Sequence, residues 1–239
     1  MQSINIDKIK KLDNIVNEAY KRLRTNVQLC GEEVKIISVT SNIPNEGKSS
    51  VAFNLAKSLA EVGKKVAFVD CDMRKSVLIG RYKVNKSVKG LSQYLSGLND
   101  YEEVVYATNV ENLHVIFSGP VPPNPAELLG GNKFKSMLRK QKSVYDYIIL
   151  DTPPIGSVVD GVIVAQNSDG AVFVIGHGEI SHKFAKNTKL QLEKCNCKIL
   201  GAVLNKVPTG DNGYYGKYYG KYYGKYYGSY GSYGSYEKE

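Results

Sequence analysis

Six nearly continuous apolar runs, at 34–40, 65–70, 113–117, 147–151, 171–175 and 199–204, recur along the chain with helix-length spacers between them. A strand with water on one side alternates apolar and polar residues, whereas an unbroken apolar run is buried on both faces. The pattern therefore predicts an α/β fold: a mostly parallel β-sheet flanked by helices, in one domain of about 200 residues. Amphipathic spacing predicts a helix over 15–29. A second is expected from Asn124, with a capping Asn, Pro125 in the first turn and Glu127 three residues on, ahead of Leu128 and Leu129.

At 239 residues, 42% hydrophobic and 23% charged, the chain is neither disordered nor collagen-like as a whole. Its end is a separate object. Eleven of the 18 Tyr lie between Tyr214 and Tyr236, in Tyr-Tyr-Gly-Lys, Tyr-Tyr-Gly-Ser and Tyr-Gly-Ser repeats. Gly at every third or fourth position costs about 1 kcal/mol per residue in a helix, and no aliphatic side chain is present to compensate. Residues 1–208 are thus expected to form the folded body and 209–239 a flexible, disordered arm. Four Lys face three acids in the arm, so only one of the nine net positive charges lies there and eight belong to the body.

Such a body attracts anions, among them nucleotides, nucleic acid, anionic lipid and phosphorylated sugar carriers, and charge alone does not choose. Cys30, Cys71, Cys195 and Cys197 are too few and too scattered for a disulfide framework, and no ligands accompany the Cys195/Cys197 pair for a metal. No run approaches the roughly 18 apolar residues that span a bilayer, and Lys8, Lys10 and Lys11 precede no signal-peptide core. A soluble cytoplasmic protein is expected.

The chemistry begins after the first apolar run. Residues 40–50 read Thr-Ser-Asn-Ile-Pro-Asn-Glu-Gly-Lys-Ser-Ser, followed by an amphipathic helix through Leu55 and Leu59. A strand, a loop containing Gly47-Lys48-Ser49 and a helix make a phosphate cradle. Backbone N–H groups of Asn45 to Ser50 point at phosphate oxygens, Lys48 adds charge, and the Ser49 hydroxyl ligates Mg²⁺. The general pattern has Gly five residues before Gly47, where this chain has Asn42. Two further apolar runs end in carboxylates, Asp70-Cys-Asp72-Met-Arg74 and Asp151-Thr-Pro-Pro154. In a doubly wound sheet such strand ends border the ligand crevice, and spacing by two in an extended segment puts Asp70 and Asp72 on one side.

Pro44 ahead of Gly47, Asp70-x-Asp72-x-Arg74 and Asp151-Thr-Pro-Pro together resemble the bacterial tyrosine kinases of capsule and exopolysaccharide biosynthesis. The resemblance extends to Glu18-Ala-Tyr-Lys-Arg-Leu-Arg24, to residues 122–129 and to the terminal tyrosines, and so covers essentially the whole chain. It implies a P-loop NTPase-like fold, ATP and Mg²⁺ as cofactors, and phosphorylation of Tyr214, Tyr215, Tyr218, Tyr219, Tyr222, Tyr223, Tyr226, Tyr227, Tyr230, Tyr233 and Tyr236. It makes Lys48 the phosphate-binding lysine and Asp70, Asp72 and Asp151 the catalytic carboxylates. Asp70 is expected as base, Asp72 and Asp151 with Ser49 on the metal, Arg74 on phosphate charge and Asn205 on the adenine. A ring-like homo-oligomer is implied through Glu18, Lys21 and Arg24, with phosphorylation between subunits. Also implied are a transmembrane polysaccharide co-polymerase-type adaptor that recruits the kinase to the inner membrane face, and a cognate tyrosine phosphatase. No nucleic acid is implied.

The rival is a partitioning-type P-loop ATPase without kinase activity. Those ATPases carry a signature Lys five residues before the phosphate-binding Lys, and here that position is Ile43. A nucleic-acid-stacking role for the Tyr- and Gly-rich arm explains the arm and ignores the body.

Overall fold

The structure, a computed structural model, describes residues 2–6, 12–82, 84 and 88–208. The elements run β1 (Gln2–Ile4), α1 (Asn14–Gln28), β2 (Ile36–Ser41), α2 (Lys48–Ala60), β3 (Val66–Asp70), α3 (Leu78–Arg81), α4 (Leu91–Leu95), α5 (Tyr101–Val104) and β4 (Val105–Thr108). They continue β5 (Leu113–Ile116), α6 (Pro125–Gly130), α7 (Asn132–Lys142), β6 (Tyr147–Asp151), α8 (Asp160–Gln166), β7 (Gly170–Gly176), α9 (His182–Lys194) and β8 (Ile199–Asn205). The tyrosine repeats expected to form the arm, from Tyr214 to Tyr236, lie outside the described residues.

The strands form one sheet in the order β1-β4-β5-β3-β6-β2-β7-β8. All six apolar runs become strands, and the central ones are buried on both faces as expected. Along β3, Val66 and Phe68 join a core with Val51, Phe53, Leu55 and Leu59 of α2, while Ala67 and Val69 join another with Leu91, Phe134, Leu138 and Val164. Residues of opposite parity thus feed helical layers on opposite sides, which leaves no room for polar side chains along the strand.

The sheet is mostly parallel as expected, with two short strands added and two readings to correct. β1 and β4 are the additions, and β4 pairs antiparallel with β5 although every other neighbouring pair is parallel. The connection from β4 to β5 is too short for a crossover helix, so the chain simply reverses. Among the described residues β8 is an edge strand, with Gly201 and Ala202 exposed and Leu204 44% exposed, so its apolar run is not doubly covered there. Asn124 precedes α6 with Pro125 in the first turn, but its side chain accepts no backbone N–H; its Nδ2 donates instead to Glu127 Oε2 at 2.7 Å.

Candidate active site

β3, β6 and β2 lie side by side at the centre of the sheet, and their carboxyl ends set the site. Register pairs Asp70 with Asp151 and Val39 with Asp151, so two strand-end carboxylates stand next to the point where β2 gives way to the phosphate loop.

The loop turns twice through left-handed backbone, at Asn45 (φ 69°) and Gly47 (φ 92°), and enters α2 with no side-chain cap. The first-turn N–H groups therefore keep their donor capacity for an anion. Gly47 is required twice over. A Cβ there would sit 2.1 Å from Asn205 Nδ2, which donates to the Glu46 carbonyl at 2.9 Å. Glu46 turns away from solvent: its Oε2 accepts from the N–H groups of Asn42 (2.8 Å) and Ile43 (2.9 Å), and its Oε1 from Gly176 N–H (3.0 Å). A fully buried carboxylate thus ties the loop to the end of β7. Asn42, at the position of the general pattern's first Gly, is also buried, and its Oδ1 accepts from the Thr188 hydroxyl of α9 at 2.7 Å.

Lys48 Nζ stands 3.4 Å from Asp72 Oδ2. β3 ends at Asp70 and the chain turns at once, so Asp72 is not an extended neighbour of Asp70; its N–H folds back onto Asp70 Oδ1 at 3.1 Å. The other Asp70 oxygen accepts from the Ser76 hydroxyl. Burial, reinforced by the Asp151 charge, raises the Asp70 pKa well above the carboxylate range. Burial raises Asp151 as well, against the opposing pull of Lys48 and the Ser49 hydroxyl. Asp151 Oδ1 is buried without a hydrogen-bond partner. Cys71, between the two aspartates, is held by burial well above the ordinary thiol range and is no nucleophile.

Arg74 makes a bidentate pair with Asp160, the first residue of α8, at 2.7 and 3.0 Å. That clamp ties the Asp70–Arg74 segment to the start of α8. Sequence reasoning missed Asp160, Ser76 and Arg81, whose Nη1 donates to the Ser50 hydroxyl at 2.6 Å. Each belongs to no spacing pattern, and each reaches its partner only through the fold.

A hard cation that prefers oxygen is held in such sites by one or two carboxylates plus phosphate oxygens and water. The residues fit that demand. Among the described residues no three His, Cys, Asp or Glu close on one point, so the protein offers no complete cage. It offers the Ser49 hydroxyl, Asp72 and the orphaned Asp151 oxygen.

On α1, Lys21 Nζ pairs with Glu18 Oε1 at 2.8 Å, and both are exposed. Arg24 is drawn aside: its Nη1 donates to the Ser58 carbonyl (2.9 Å) and hydroxyl (3.2 Å) of α2. No helix among the described residues is long and apolar enough to cross a membrane.

A family model described as AAA domain matches residues 34–181. The tyrosine-protein kinase CpsD of Streptococcus agalactiae is 44% identical over 205 residues, 84% of this chain and 90% of that one. The kinase domain of Escherichia coli tyrosine kinase ETK superposes with a TM-score of 0.78 at 30% identity, covering 86% of this chain and 84% of that one. The cell division ATPase MinD of Pyrococcus furiosus shares the fold at a TM-score of 0.62 and 26% identity, over 75% of each chain. The architecture is therefore common to both rivals, whereas the identity over nearly the full length is with kinases. A phosphate loop on β2, carboxylates ending β3 and β6, and this likeness along the body mean that the chain belongs to the bacterial tyrosine-protein kinases.

Proposed function

We propose that this kinase transfers the γ-phosphoryl group of ATP to tyrosines of its own C-terminal cluster, on a neighbouring copy, and so regulates capsular or exopolysaccharide synthesis and export. The observation that carries this reading is the convergence, at the carboxyl ends of β2, β3 and β6, of Lys48 on Asp72 at 3.4 Å and of the Ser49 hydroxyl on Asp151, with Asp70 paired to Asp151 across the neighbouring strands.

Ser49, Asp72 and Asp151 would hold Mg²⁺, directly or through water; when bound, the ion neutralises charge on the β- and γ-oxygens. Lys48 exchanges Asp72 for the transferring phosphate. Asp70 takes the phenol proton: a tyrosine hydroxyl has an ordinary pKa of about 10, and a carboxyl raised by burial is better matched to it than an exposed one. Arg74 stays on Asp160 and keeps the carboxylate segment in place, while Asn205 supports the loop and borders the adenine side. Tyr214 to Tyr236 are the acceptors. Glu18, Lys21 and Arg24 contribute to a ring-like assembly. A transmembrane adaptor brings the kinase to the membrane and activates it, and a dedicated phosphatase reverses the modification.

The test is incubation with ATP and Mg²⁺ followed by an anti-phosphotyrosine blot. Lys48→Met should abolish the signal while the protein stays folded. Mixed with an active protein truncated after Pro208, Lys48→Met with its own tail should become labelled. An unlabelled mixture refutes transfer between copies, and a fully active Lys48→Met refutes the site.

A further inference from the structure

Besides Lys48 and Arg74, a further cation borders the phosphate loop, and it lies outside every motif. Arg81 closes the short helix α3 and donates through Nη1 to the Ser50 hydroxyl at 2.6 Å. Ser50 follows Ser49 in the first turn of α2, where uncapped N–H groups meet the crevice. The positive charge of Arg81 is also felt at the Asp151 carboxyl, the residue that ends β6.

α3 is fixed on both sides of Arg81. Leu78 is buried in the core, and Tyr82 is buried against Phe53 of α2, with ring centroids 4.3 Å apart. Arg81 itself is exposed. A planar, permanently charged group is therefore held at the mouth of the cradle on a neutral hydroxyl. Phosphate oxygens are stronger acceptors for a guanidinium and match its fork geometry.

We propose that Arg81 is a phosphate-binding residue of this kinase: with nucleotide in the crevice, its guanidinium leaves the Ser50 hydroxyl for the polyphosphate. The inference deepens the nucleotide-binding reading above and rests on it. It gives the phosphates a cation supplied from beyond the loop itself. It also links the phosphates to the segment that carries Asp70, Asp72 and Arg74, because α3 is the continuation of that segment.

The test is titration calorimetry of MgADP with the parent chain, Arg81→Lys and Arg81→Gln, beside the melting temperature of each without nucleotide. Gln removes the charge and shortens the reach, so the melting temperature reads separately whether the tie to Ser50 is a structural one. Arg81→Gln should lose about 10- to 100-fold in affinity, the range for one charge-assisted hydrogen bond, with an unchanged melting temperature. Arg81→Lys should fall between, and affinity of the parent should decline more steeply with salt than that of Arg81→Gln. Affinity of Arg81→Gln within about two-fold of the parent overturns the proposal, because a charge-assisted contact is worth more. So does a loss matched by a drop in melting temperature, which would mark Arg81 as a structural strut. A parent chain that fails to bind MgADP overturns instead the nucleotide reading beneath it.

Discussion

Glu46 makes the sharpest prediction, because its neighbours in the sequence suggest a nucleotide contact and its side chain is committed elsewhere. Its fully buried carboxylate satisfies three backbone N–H groups, two within the phosphate loop and one at the end of β7. A hydrogen bond to a charged group is worth about 1.5–3 kcal/mol net, and a buried donor left without a partner costs about 1–3 kcal/mol. In Glu46→Ala all three donors lose their acceptor. With some recovered by water entering the space, destabilisation of at least about 3 kcal/mol is expected. For a domain of this size about 1 kcal/mol shifts the melting temperature by about 2–4 °C, so Glu46→Ala should melt about 6–12 °C lower. Glu46→Gln keeps one carbonyl oxygen but turns an amide N–H against another donor, and should lose roughly a third as much. Melting followed by circular dichroism gives the numbers, and MgADP calorimetry should show weaker binding in the same order. A Glu46→Ala protein that melts within about 2 °C of the parent would refute this account of the loop.

Two further expectations follow from the same geometry. Asp70 binds its proton more tightly in the fold than in the unfolded chain, so its contribution to stability is present in acid and is lost as pH rises above the ordinary carboxylate range. Asp70→Asn should consequently melt higher than the parent above pH 7, the gap closing toward pH 4, while autophosphorylation falls about 100-fold or more; a lower melting temperature at pH 8 would contradict the burial argument. Glu18→Ala with Arg24→Ala should reduce the mass of the assembly in light scattering, and the loss of the Ser58 contacts should lower the melting temperature by a few degrees. Equal masses for the double variant and the parent would remove α1 from the interface.

Much of the centre was legible because its signals are local. The apolar runs of β2, β3 and β6 stand out in one dimension, and the carboxylates that end them are read in the same glance. β1 and β4 were not legible: three and four residues carry too little periodicity, and β4 follows α5 without a Gly or Pro to mark the change. β8 reads as an inner strand because an apolar run does not reveal that, among the described residues, only β7 stands beside it. At the site, Gly47-Lys48-Ser49 announces its own chemistry, but the direction in which Glu46 points is decided by Gly176, at the far end of β7. Asp160 likewise has meaning only once Arg74, 86 residues earlier, is brought beside it. Side chains that act through distant partners leave no trace in spacing.

The place of β8 has a consequence for motion. An edge strand is laddered on one side only, and such elements open locally at lower free energy than the strands inside a sheet. Yet the last residue of this strand, Asn205, holds the Glu46 carbonyl and closes over Gly47. The loop that must be most ordered is thereby fastened to an edge of the sheet. Each opening of the edge removes one tie of the loop, leaving those of Glu46 to β7 and of Asn42 to α9, and a ligand that orders the loop should slow amide exchange along the edge without touching it. Occupancy of the loop and fraying of residues 199–205 are in this way coupled through one side chain.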